Sequence, residues 1–156
     1  MSIDFEWLES KILGRALNSE EREALGAIIT AHRFDKGQNI VSQGQPGGAL
    51  YILRSGTAEI ASEKEGKRTH ITNTMEGALF GEMTVLTGEP TSASVICTEA
   101  CEVYKISREG LSSIMEHHQD LIFALFAYML VYSSKVIRHM NEEHIAMLHY
   151  ITGSRL

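Results

Sequence analysis

Only two cysteines, Cys97 and Cys101, occur in 156 residues. A thiolate zinc site would want a second closely spaced pair, and a disulfide framework would want more, so neither is supported. Two reduced thiols at the ends of adjacent strands are expected instead. Proline is equally scarce, at two positions, and residues 108–150 contain no proline and only one glycine, Gly110, so little there would interrupt a helix. Positive charge is in deficit: 14 Lys+Arg against 20 Asp+Glu leaves a net −6, and no Lys/Arg stripe is present to track a phosphate backbone. Long apolar runs are missing too. The longest uncharged stretch, residues 121–134, is about 14 residues, short of the roughly 20 that span a bilayer as a helix. Residues 1–14 mix Asp4, Glu6, Glu9 and Lys11 with Trp7, Leu8 and Ile12, unlike a signal peptide. The expectation is a cytoplasmic chain with no membrane span. Its 44% apolar and 22% charged residues fit one compact domain over 1–156.

Three regions follow one another. In residues 1–32 two short helices are expected, an amphipathic one over 1–14 and a second over 16–31 that opens on the capping residues Asn18, Ser19 and Glu21. Residues 33–107 change to short runs rich in Ile, Val, Thr and Tyr, cut by glycine-bearing turns such as Lys36-Gly37, Ser55-Gly56 and Glu76-Gly77. Strands are placed at 39–43, 50–53, 57–62, 68–73, 93–98 and 102–106, an antiparallel pattern that suits a β jelly-roll barrel. Residues 108–150 read as a short helix and then a long one, with Leu121, Leu125, Met129, Tyr132, Val136 and Met140 at helical spacing. The fold class is therefore mainly β with flanking helices. A stripe of Ile122, Phe126, Met129, Val136, Met140 and Met147 is too wide for one small barrel to cover. Part of it is expected to face a second copy, giving a homodimer; the alternative is that the helix folds back over its own barrel.

One segment breaks the strand pattern: Phe80-Gly81-Glu82-Met83-Thr84-Val85-Leu86, followed by Gly88-Glu89-Pro90-Thr91-Ser92-Ala93. Glycines 77 and 81 permit tight backbone, and residues 82–86 can form a helical turn whose first amides lack partners and attract an anion. Glu82 can accept hydrogen bonds from the neutral hydroxyls of a sugar, and Ser92 offers a donor nearby. The plainer reading of Glu82 is an acidic residue favoured by the dipole of its helix.

The chain resembles the cyclic-nucleotide-binding domain family, shared by catabolite-activator-type bacterial regulators, the regulatory subunits of cyclic-AMP-dependent kinase and cyclic-nucleotide-gated channels. The resemblance runs from Leu17 to Met140 through Phe34-Asp35-Lys36-Gly37-Gln38-Asn39-Ile40-Val41-Ser42-Gln43-Gly44, Leu50-Tyr51-Ile52-Leu53-Arg54-Ser55-Gly56 and Phe80-Gly81-Glu82. It implies a jelly roll with helices at both ends. It also implies a phosphate-binding cassette in which Glu82 grips the ribose 2′-hydroxyl, the amides of Glu82 and Met83 approach the cyclic phosphate, and Ser92 touches it. Phe80, Gly81, Thr91 and Ala93 frame that cassette, and Tyr132, Ser133 and Ser134 are candidate lid contacts from the long helix.

Two departures stand out. Thr91 occupies the place of the cassette arginine, and no Arg or Lys lies between Gly77 and Val103. Arg54, Lys67 and Arg68 are the candidates to reach in from other loops. Gly48 stands where relatives often carry an acidic turn residue. The expected function is thus a regulatory sensor for cAMP, cGMP or another small anion, weakened by the missing guanidinium and relayed through the C-terminal helix. The alternative is a ligand-free domain that serves dimerisation or protein interaction. Catalysis is not expected: only His70 lies on an expected strand, the helical histidines suggest no metal site, and Ser133-Ser134 sits in no nucleophile elbow. Direct DNA binding is not expected either, since six residues after Tyr150 cannot supply a helix-turn-helix. No cofactor is expected beyond the ligand itself.

Overall fold

The structure, a computed structural model, describes residues 2–152. Met1 and residues 153–156, the two ends of the domain expected over 1–156 and most of the tail after Tyr150, lie outside the described residues. Asp4 opens α1 (Phe5–Trp7) by accepting from the Trp7 amide, and the chain continues in a π-helical turn, Leu8–Leu13, that ends at Gly14. Helix α2 (Ser19–Ile28) starts on a reciprocal cap: the Asn18 side chain accepts from the Glu21 amide at 2.9 Å, and Glu21 accepts from the Asn18 amide at 3.0 Å. Arg15 clasps the same Glu21 at 2.6 Å and holds its carboxyl below the usual range.

The second helix stops at Ile28 rather than continuing to residue 31, and the chain passes directly into β1 (Ile29–Phe34). Beyond it come β2 (Asn39–Val41), β3 (Ala49–Ser55), β4 (Ala58–Lys64), β5 (Lys67–Thr74), β6 (Leu79–Phe80), α3 (Glu82–Thr87), β7 (Ser94–Cys97) and β8 (Cys101–Ser107). The six strands expected from sequence correspond to β2–β5, β7 and β8; β1 and β6 are additional. They form two antiparallel four-stranded sheets, ordered β1-β8-β3-β6 and β2-β7-β4-β5. The result is a jelly-roll-like sandwich and not a closed barrel.

The first sheet is covered on both faces, which explains the unbroken apolar run in β3. Leu50 and Ile52 point to a core shared with the helices, whereas Leu53, one step out of phase, points between the sheets. On β8, Tyr104 and Ile106 join the helical side while Cys101 and Val103 join the intersheet core. Cys97 and Cys101, closing β7 and opening β8, are free and buried. Burial, reinforced by Cys101, pushes the Cys97 thiol up to about 12, which leaves it protonated and unreactive at neutral pH.

After β8 come α4 (Arg108–Ile114), capped by the Ser107 hydroxyl accepting from the Gly110 amide, and α5 (Gln119–Thr152). Leu121, Ile122, Leu125 and Met129 of α5 are buried in the helical core. Burying each such side chain contributes about 1.5–3 kcal/mol. The first half of the helix therefore folds back over its own sandwich, so Ile122 and Met129 of the expected dimer stripe are covered within the chain. A different apolar face is open: Phe123, Leu130, Ile137 and Ile151 are 74%, 71%, 57% and 70% exposed. By length and composition alone α5 is long and apolar enough to cross a membrane, which the uncharged stretch of about 14 residues does not anticipate.

Candidate functional site

The site is built around Gly81. Its φ of +82° lies in the left-handed region, and a Cβ there would be driven into the carbonyl oxygen of Ala49. Both constraints demand glycine, and together they turn the chain sharply from β6 into α3. Just before it, Phe80 stacks on Tyr51 with ring centroids 5.8 Å apart. Immediately after it, Glu82 takes the first position of α3, which opens without a side-chain cap.

These residues border a cavity of about 470 Å³ between the second sheet, α3 and α5. Its walls include Val41, Ile60, Thr72–Thr74 and Val95 from the sheet, and Tyr132, Ser133, Val136 and Met140 from α5. The volume lies within the range of small-ligand sites, and the lining is mostly apolar with a few polar groups. Phe80, Gly81, Glu82, Met83, Thr91, Ser92, Ala93, Tyr132 and Ser133 all face this one space. Ser134 does not: its hydroxyl donates to the Leu130 carbonyl at 2.7 Å on the outer side of the helix. Glu82 is the only acidic side chain in the lining. Burial raises its pKa above the ordinary 4.5, opposed only by its own backbone N–H.

Thr91 has a local task as well as a place in the wall. Its hydroxyl donates to the Ser42 carbonyl at 2.6 Å, its amide donates to Gln45, and its carbonyl accepts from Gly44, which staples the segment to the loop after β2. None of the expected substitute cations reaches the cavity. Arg54 is held by Asp4 at 2.8 Å and lies over the Trp7 ring, and Arg68 pairs with Glu59. Lys67 is exposed at the β4–β5 turn. The basic side chains that do line the cavity, Lys135 and His139, belong to α5. Their signal was the helical spacing: they lie three and seven residues after Tyr132 and so share its face.

The helix roof is fastened at two points. The Tyr128 hydroxyl donates to the Gly77 carbonyl at 2.6 Å, and the Tyr132 and Thr74 hydroxyls lie 3.4 Å apart. The two tyrosine rings stack with centroids 6.3 Å apart. Among the described residues no three His, Cys, Asp or Glu side chains gather as a metal site.

Comparison with known proteins places the chain among relatives of the same fold. The chain is 28% identical over 116 residues to the cAMP-dependent protein kinase regulatory subunit of Aspergillus niger, a match covering 74% of this chain and 28% of the relative. It is 27% identical over 143 residues to the cGMP-dependent protein kinase of Eimeria tenella, covering 92% of this chain and 14% of that one. The chain thus spans less than a third of either curated relative. Among solved structures, a cyclic nucleotide-binding domain from Methylobacillus flagellatus superposes with a TM-score of 0.79 at 19% identity, covering 92% of this chain and 81% of the other. The Thermus thermophilus catabolite activator protein does so at 0.65 and 26% identity, covering 86% and 62%. The family description "Cyclic nucleotide-binding domain" matches residues 31–118, more than half of the 156. The chain belongs to the cyclic nucleotide-binding domain family.

Proposed function

We propose that this chain is a regulatory sensor that takes cAMP or cGMP in the cavity beneath α5 and relays occupancy through that helix. The observation that carries the reading is the convergence of the nine cassette and lid residues on one cavity of about 470 Å³. Glu82 accepts from the ribose 2′-hydroxyl, the amides of Glu82 and Met83 face the cyclic phosphate, Ser92 adds a hydroxyl donor, and Tyr132 and Ser133 close over the base. Phe80, Gly81, Thr91 and Ala93 hold the frame. Because Thr91 stands where the family carries an arginine, the sandwich side of the site lacks a charged hydrogen bond worth about 1.5–3 kcal/mol, which corresponds to roughly 10- to 100-fold in affinity.

The signal leaves through α5, whose exposed Phe123, Leu130, Ile137 and Ile151 fall on one seven-residue register, with His144 at its remaining place. That repeat is the seam of a two-helix coiled coil, and a second copy of the chain is its occupant in this reading. The burial of Leu121, Ile122, Leu125 and Met129 supports α5 as a packing helix rather than a membrane span. The free, buried thiols suit a cytoplasmic setting. A pairing module without a ligand is the second reading, favoured by the same exposed seam and by the local use of the Thr91 hydroxyl.

A thermal-shift panel of cAMP, cGMP, cyclic dinucleotides and plain nucleotides separates the two. Ligand at 100 times its dissociation constant stabilises by about 2.7 kcal/mol, or roughly 5–10 °C for a domain of this size. The sensor reading predicts such a shift with a cyclic mononucleotide. No shift at millimolar concentrations leaves the pairing module.

A further inference from the structure

A cyclic phosphate carries one negative charge into a cavity whose only acidic side chain repels it and whose cassette offers Thr91 where the family offers a guanidinium. The charge on the opposite wall decides how that deficit is met. Lys135 and His139 stand four residues apart on α5, one turn from each other on the same face, and both line the cavity. His139 lies 3.3 Å from Glu143. The Lys135 ammonium, by contrast, has no hydrogen bond or ion pair among the described residues. Its flexible four-carbon stem lets the ammonium turn to an anion.

We propose that Lys135, with His139 beside it, is the phosphate-binding cation of this site, so that the charge has moved from the sandwich to the lid helix. The inference rests on the cyclic-nucleotide reading above and changes what binding does. With an arginine at position 91, cation and amides would stand on the same side of the cavity. Here the phosphate joins the β6–α3 turn to α5. Its charge therefore favours the arrangement in which the helix is down, which is the differential affinity that a ligand-driven shift requires.

The test titrates the full chain and three variants, Lys135→Gln, Lys135→Arg and the double variant Lys135→Gln/His139→Gln, with cAMP, cGMP and the phosphate-free probe adenosine. Lys135 is exposed, so each variant should melt with the parent. Lys135→Gln should weaken the cyclic nucleotide about 10- to 100-fold and leave adenosine unchanged, Lys135→Arg should restore most of the loss, and the double variant should bind no better than Lys135→Gln. A parent that binds while Lys135→Gln keeps its affinity within about twofold overturns this inference alone. A parent that takes neither cyclic nucleotide at millimolar concentration overturns the cyclic-nucleotide reading and this inference with it.

Discussion

Glu82 is costly to the ligand-free chain. Burial in the cavity wall penalises its charge, so the folded protein holds the proton more tightly than the unfolded one. The contribution of such a group to stability is full below the unfolded value, 4.5, and is lost as pH rises through the higher folded value. Glu82→Gln keeps the shape and removes the charge. It should raise the melting temperature of the empty protein at pH 7, give little gain at pH 4, and cut cyclic-nucleotide affinity about tenfold or more through the lost carboxylate–hydroxyl bond. Melts across pH 4–8 with and without cAMP check this; an equal gain at both pH values would mean the carboxyl is not strained by burial. Gly81 and Glu82 were legible in the sequence because a left-handed glycine and an acidic first-turn residue leave a local signature. For Lys135 and His139 the helical spacing gives only the shared face with Tyr132, not its place over the cavity. They lie more than forty residues beyond the cassette, and only the fold of α5 across the sandwich brings them to the cavity.

At the level of elements, the roof depends on Tyr128, whose half-buried hydroxyl donates to Gly77 at the turn into β6. Tyr128→Phe leaves that carbonyl without its donor and should cost about 1 kcal/mol. Hydrogen exchange should rise over residues 132–140 while β3 and β8 keep their protection. A uniform rise would show that the bond supports the whole fold rather than the lid. The two strands missed from sequence have distinct causes. Leu25, Ile28 and Ile29 fit one helical face and no glycine or proline lies between Ala27 and Phe34, so the change from α2 to β1 is imposed by pairing along β8, from Ile29 with Ile106 to Phe34 with Cys101. Strand β6 has two residues, too few for any period to register, and exists through Tyr51 with Phe80 and Ile52 with Leu79. The direction in which α5 presses its apolar residues was equally hidden, because a helix apolar on several faces does not say which face is inside.

For the whole molecule, helices, first sheet and second sheet stack as three layers, and the exposed seam of α5 extends beyond them. From Met140 onward every described side chain on the helix is exposed. A pairing of two such helices should be broken by Phe123→Asp with Leu130→Asp, both exposed and away from the cavity, turning a dimer into a monomer in sedimentation velocity with the sandwich still folded; an unchanged sedimentation coefficient would place the interface elsewhere or remove it. The antiparallel strands and the helical turn after Gly81 were readable because strand alternation and glycine turns are local, whereas a pairing surface depends on what the core leaves uncovered.

The proposed sensor stands or falls on whether the space under α5 receives a cyclic nucleotide. Isothermal titration of the intact chain with cAMP and with cGMP tests it most directly. Saturable heat with one molecule bound per chain is expected for at least one of them, strongly reduced in Glu82→Gln. No heat from either at millimolar concentration, or equal binding by parent and variant, would contradict it.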